Sequence, residues 1–203
     1  VGTRALDNNT VSDNVAVGHE ALEINTTGSQ NVAVGTRALE ANTTANDNTA
    51  LGYHALLANT TGYRNTVIGS QAGDAITGGA ENTFVGYVSG STNTTGDYNT
   101  GVGHGSLYST DANHNTGVGY YALNANTTGN NNTALGSKAL DSYTGSENTA
   151  VGVDALGACT TGSANVAVGC DCTEFLTTGG SNTAMGHDAN RYGNGGYNTP
   201  LGR

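Results

Sequence analysis

The chain has no tryptophan, one proline, one methionine and three cysteines, and only 11% of its 203 residues are charged. So little charge, with aromatics at 6%, sits poorly with a mixed α/β enzyme, which carries more Leu, Lys, Glu and aromatic side chains. Six Lys and Arg stand against sixteen Asp and Glu, a formal net charge of −10. That balance excludes a nucleic-acid surface, because phosphate binding needs clustered positive charge. No apolar run approaches the ~20 residues of a membrane helix, so membrane insertion is not expected. There is no signal-peptide pattern and no initiator Met, and the chain reads as a mature fragment or a section of something longer. Gly (32), Thr (31) and Asn (26) are abundant, together 89 residues. These are poor helix formers, which argues against long helices. Disordered chains are rich in Pro, Lys and Glu and poor in β-branched residues, and this one is the reverse.

The dominant signal is repetition. An apolar residue followed by Gly recurs thirteen times, beginning at Val1, Val17, Val34, Leu51, Ile68, Val85, Val102, Val118, Leu135, Val151, Val168, Met185 and Leu201, always 16 or 17 residues apart. With the apolar residue as position one, position five is small in all twelve units and position six is Leu in eight. Three residues before each later apolar–Gly pair stands an Asn: Asn14, Asn31, Asn48, Asn65, Asn82, Asn99, Asn115, Asn132, Asn148, Asn165, Asn182 and Asn198. The consensus is N-T-A-V-G-x-x-A-L-x-x-N-T-T-G-x-x. Residues 1–203 are therefore expected to form one continuous array with no separate domain.

A unit of this length accommodates two strands of about five residues and two turns. Alternation along N-T-A-V-G sets Thr or Val and the apolar residue on one face, with Asn, Ala and Gly on the other. Val replaces Thr at Val15, Val32 and Val166, which suggests that the Thr/Val face is the one that tolerates full burial. One unit cannot bury a core alone, whereas stacked units bury a continuous one. The fold expected is all-β: a parallel β-solenoid, or β-roll, with one coil per repeat and about twelve coils, making a rod of roughly 58 Å. The Asn column is expected to be structural, each amide donating to the carboxamide oxygen of the next coil and tying down the turn. The Gly after each apolar residue suits a corner with positive φ or no room for a Cβ.

The motif N-V-A-V-G at 14–18, 31–35 and 165–169 resembles the S-V-A-I-G coil of trimeric autotransporter adhesin heads. The N-T-A-L-G, A-L and N-T-T-G elements resemble repeats of bacterial surface proteins and bacteriophage tail-fibre shafts. The resemblance implies a left-handed β-roll, three chains side by side, and exposure on a cell or virion.

Candidate chemistry is sparse. His19, His104 and His187 share the position-three column but lie five coils apart, and no triad or carboxylate pair stands out, so enzyme activity is not expected. Cys170, Cys172 and His187 suggest a metal site without a clear fourth ligand, against the alternative of small buried side chains or a disulfide involving Cys159. Position four reads Arg4, Glu20, Arg37 in the first units, a self-neutralising ladder, and Asp154, Asp171, Asp188 in the last three. The latter column, and Asp7, Glu23 and Glu40 at position seven, offer oxygen ligands for calcium; solvation satisfies the same carboxylates without an ion. Tyr53, Tyr87 and Tyr120 recur at position three in alternate coils and present aromatic faces to sugars or to solvent. Asn-x-Thr sequons at Asn25, Asn42, Asn59, Asn93 and Asn126, besides Asn8 and Asn131, are candidate glycosylation sites.

The function expected is a structural one: an extracellular or virion-surface fibre or adhesin module, a rigid rod that spaces, adheres or polymerises. Its main partner would be itself, as a homo-oligomer, either a trimer or an end-to-end filament. Filament growth is suggested by a whole number of coils without capping repeats, and opposed by Pro200 and Arg203 near one end. The alternative is a repetitive surface that binds a glycan or another periodic ligand; ice binding is disfavoured because the Thr-Thr pairs sit at a turn.

Overall fold

The computed structural model describes residues 1–203 apart from Cys159, Asn194 and Arg203. It is an all-β solenoid. Eleven three-residue strands, β1 (Val15–Val17), β2 (Val32–Val34), β3 (Thr49–Leu51), β4 (Thr66–Ile68), β5 (Thr83–Val85), β6 (Thr100–Val102), β7 (Thr116–Val118), β8 (Thr133–Leu135), β9 (Thr149–Val151), β10 (Val166–Val168) and β11 (Thr183–Met185), form one parallel sheet in sequence order. Register is fixed throughout, each strand's middle residue opposite the next: Ala50, Val67, Phe84, Gly101. The segment before β1 stacks in the same way, Leu6 N–H donating to the Ala21 carbonyl, and Leu201 bridges to Met185 beyond β11.

Each coil has one strand rather than two of about five residues. The reason is local. Three columns of the repeat lie in the left-handed region, which no strand can include. They are position four (Glu20, φ 56°), position six (Leu22, φ 51°) and the residue before the ladder Asn (Gln30, φ 60°). Over twelve coils these columns account for all 33 non-glycine residues of positive φ among the described residues and for Gly73, Gly90 and Gly105. Leu and Val88 in this region carry a steric cost of about 1 kcal/mol or more apiece. Stacking offsets it: Leu22, Leu39 and Leu56 each donate a backbone N–H to the position-five carbonyl of the next coil at 3.1 Å. The corner glycine is obligatory for a second reason, because a Cβ on Gly35 would lie 2.2 Å from the Gly52 carbonyl oxygen.

The buried face of the sheet is the opposite of the one expected. In every strand the middle residue is buried, while its neighbours on either side are half-buried or exposed. Thr or Val and the position-one apolar residue point outward, and Ala, with the ladder Asn, points inward. The lumen is narrow. It holds the strand alanine, the small residue of position five, the leucine of position six and two asparagine columns, with no room for a further valine row.

Where the consensus breaks, volume is exchanged within the coil. Phe84 replaces the strand alanine, and position six of the same coil is Gly90, where a Cβ would lie 2.6 Å from the Phe84 ring. In the next coil the strand residue is Gly101, and a Cβ there would meet both Ser89 Oγ at 2.8 Å and Phe84 at 2.9 Å. Large and small side chains thus alternate to keep the core close-packed.

Candidate functional site

Backbone and side chain cooperate in the Asn column. At each of its eleven steps the Asn backbone N–H donates to the carboxamide oxygen one coil earlier, at 2.9–3.0 Å. The amide-to-amide bond expected from sequence accompanies it at seven steps. The amide also donates to a carbonyl in the turn of the next coil, as from Asn65 to Gly79 at 2.8 Å and from Asn99 to Ala112 at 2.8 Å. Asn31 through Asn182 are buried in this column, and Asn14 and Asn198 at its ends are more exposed.

A second asparagine column flanks the same turn, so that Asn48 and Asn59 both donate to the Gly62 carbonyl. Asn25 donates to Asn9 at 2.6 Å, Asn42 to Asn25 at 2.8 Å and Asn59 to Asn42 at 3.1 Å. The Asn59 oxygen, which would receive the next amide, has no hydrogen-bond partner, because Ile76 occupies the following coil. This corrects the glycosylation expectation. Asn25, Asn42, Asn59, Asn93 and Asn126 are all fully buried, and Asn93 and Asn126 fold back to accept the N–H of Gly96 and Gly129. Their amides cannot take a glycan while the coil is closed. The signal was in the sequence: Ile76, Tyr143 and Leu176 share the column, and such side chains belong inside.

The charges of the first coils are neutralised pairwise. Glu20 lies between Arg4 at 2.9 Å and Arg37 at 3.6 Å, and Arg37 also bridges Glu40. Glu20, Glu23 and Glu40 converge, but the two guanidiniums already hold them. Asp7 is not in that cluster, and Asp154, Asp171 and Asp188 do not converge among the described residues. Asp188 instead pairs with His187 at 2.9 Å and Arg191 at 3.0 Å.

Near that end Cys170, Asp171 and His187 bring ligand atoms within 4.8 Å of one another. Cys172 is not with them; it is buried, its thiol directed to the Ala184 carbonyl at 3.4 Å, because position five faces the lumen and position three does not. Cys159 lies outside the described residues. Desolvation and then the carboxylate of Asp171 push the Cys170 thiol above its ordinary pKa, which disfavours the thiolate that a metal requires.

The outward sheet face runs the length of the eleven strands. Two parallel rows of eleven side chains cover it, one of Thr and Val and one of Val, Leu, Ile and Met. Val15 is 51% exposed, Leu135 49% and Met185 47%. None of the 22 positions is charged, on a chain of net charge −10. Tyr53 stacks on His54 at 3.7 Å just beyond the corner, whereas Tyr87 and Tyr120 meet around His104 at 5.1 and 5.3 Å. Compared with family models, with curated proteins and with solved structures, the chain matches none.

Proposed function

We propose that the chain is a structural module of an extracellular or virion-surface fibre, a stiff rod that spaces or presents other parts, and that copies of it associate through the outward sheet face. The observation that carries this reading is the double row of uncharged side chains along all eleven strands. One of the two rows is apolar along all eleven strands, and a long exposed apolar stripe marks an interaction surface. Its occupant is a second copy of the chain. Elsewhere the acidic surface repels its like, while on this face no two like charges meet. Stiffness follows from the ladder of Asn14 to Asn198, which repeats the same backbone-to-carboxamide bond between coils over roughly 48 Å from β1 to β11.

Sedimentation velocity over a range of concentrations tests the proposal. The chain is expected to sediment as a small oligomer of elongated particles, and Thr100→Lys with Val102→Lys to sediment as a monomer with an unchanged β-type circular dichroism spectrum. A wild-type chain that remains monomeric at every concentration overturns the association. A compact particle by small-angle scattering overturns the rod.

A further inference from the structure

The repeat is least regular at mid-rod, and the irregularity builds a concavity. Position four carries a side chain in eleven coils and a glycine only at Gly105. The Tyr121 ring, from the next coil, lies down over that glycine; a Cβ there would sit 2.3 Å from the ring. With Tyr121 laid over, a hollow of about 420 Å³ opens between coils, walled by Tyr87, Val88, His104, Tyr108, Tyr121 and Asn124. His104 is its centre, with ring contacts to Tyr87 at 5.1 Å, Tyr120 at 5.3 Å and Tyr121 at 5.2 Å. Tyr120 in turn buttresses Tyr121 edge-on at 4.4 Å. Four of the chain's ten tyrosines, Tyr87, Tyr108, Tyr120 and Tyr121, thus gather in three consecutive coils.

We propose that this concavity binds a neutral pyranose sugar, its C–H face against the tyrosine rings and its hydroxyl rim against His104, Asn124 and the phenol oxygens. The proposal goes beyond the rod reading and does not depend on it; it also differs from a periodic glycan surface, since the site occurs once. Three observations carry it. First, the hollow has the size of a small-molecule site. Second, the ligand must be neutral. Position four is uncharged from Gln71 through Tyr121, and position seven from Ser91 through Asn124, whereas both columns carry charge towards either end of the rod. A quaternary ammonium also suits aromatic walls, but no carboxylate lines this hollow to favour a cation. Third, the walls combine π faces, which attract the weakly positive C–H bonds of a sugar ring, with a polar group. Asn124 supplies that group from the wall of the hollow, one coil beyond Tyr108.

Saturation-transfer NMR on the whole chain tests this, with cellobiose, lactose, maltose and N,N′-diacetylchitobiose as probes and tetramethylammonium as the competing one. At least one disaccharide is expected to receive saturation, strongest at the C–H protons of one ring face. Gly105→Gln should weaken that binding roughly ten-fold or more by lifting Tyr121 and filling the hollow. Gln71 occupies the same column at φ 54°, so the variant backbone has a precedent in the chain. Tyr121→Gln, which removes the wall without adding bulk, should weaken it similarly, and Tyr53→Gln, outside the site, should leave it unchanged. The proposal is overturned if no disaccharide is saturated, if only tetramethylammonium is, or if binding survives in both Gly105→Gln and Tyr121→Gln.

Discussion

The carboxamide oxygen of Asn48 accepts the backbone N–H of Asn65, one coil further along, at 3.0 Å, and both residues are fully buried. Asn65 in turn accepts the N–H of Asn82 and donates its amide to the Gly79 carbonyl in the turn of the next coil. Asn65→Ala leaves the Asn82 N–H and the Gly79 carbonyl without their partner. Each orphaned buried group costs about 1–3 kcal/mol. Asn65→Ala and Asn99→Ala are expected to shift the urea midpoint by an amount equivalent to ~1–3 kcal/mol, and Thr61→Ala at an exposed turn to shift it little. Equal shifts in all three variants would remove the ladder as a source of stability.

Phe84 and Gly90 form a complementary pair within one coil, and their energetics should be strongly coupled. Phe84→Ala leaves a cavity and is expected to cost ~3–5 kcal/mol. Gly90→Leu has no room beside the ring and should cost ~1–3 kcal/mol or prevent folding. Together they restore the Ala and Leu that Ala50 and Leu56 supply two coils earlier, so the double variant should be more stable than either single one. A double-mutant cycle by denaturant unfolding measures this; additive costs would contradict the volume exchange.

The architecture was legible because a solenoid writes its period into every column, and the apolar–Gly pair and the Asn each recur once per coil. The inward face was not. Alternation tells which residues share a face, but not which face is covered. Three valines in the Thr row favoured the wrong side, yet they point outward while the strand's middle residue faces the lumen. The second strand failed for a reason invisible to composition: Leu at position six looks extended, yet its backbone is left-handed in eight coils. The Asn-Thr-Thr motif likewise reads as a solvated turn, although Asn25, Asn42 and Asn59 are its buried anchors. Of the mid-rod hollow and its support, Tyr87, His104 and Tyr120 stood out in sequence. Gly105, which lets Tyr121 lie down, was one of 32 glycines.

Left-handed residues without glycine are a reservoir of strain that substitution can release. Ala164 precedes ladder residue Asn165, is exposed and has φ 58°. Its methyl group buries nothing that compensates for the conformation. Ala164→Gly is expected to raise stability by roughly 0.5–1 kcal/mol, despite the greater freedom of Gly in the unfolded chain. Ala164→Val, β-branched, should lower it. Thermal unfolding of the three proteins decides the matter, and a loss on Ala164→Gly would show that neighbouring coils do not impose the angle.

Two aspartates should shift stability with pH in opposite senses. Burial alone would raise the pKa of Asp111, but the N–H and hydroxyl of Thr94, at 2.6 and 2.8 Å, and the Thr95 N–H, at 3.0 Å, outweigh it and hold the carboxyl below its ordinary value. The folded state therefore prefers the ionised form, and the gain is present above the unfolded pKa of about 3.9 and lost as pH falls through the lower folded value. Asp141 is the reverse. Burial dominates, aided by the negative charge of Asp154, and the positive charge of Lys138 and the Asn124 hydrogen bond do not cancel it, so its pKa is raised. Stability from that group is fully present below about 3.9 and lost as pH rises through the raised folded value, which leaves a net cost at neutral pH. Asp141→Asn is thus expected to raise the melting temperature at pH 7 and to lose that advantage in acid. Asp111→Asn should lower the melting temperature at pH 7, with the deficit closing as the pH drops below 3.9. Melting curves of wild type and both variants between pH 3 and 8 provide the measurement. Curves that run parallel would mean that neither carboxyl changes its proton affinity on folding, and that the threonine bonds to Asp111 are no stronger than those water supplies to the open chain.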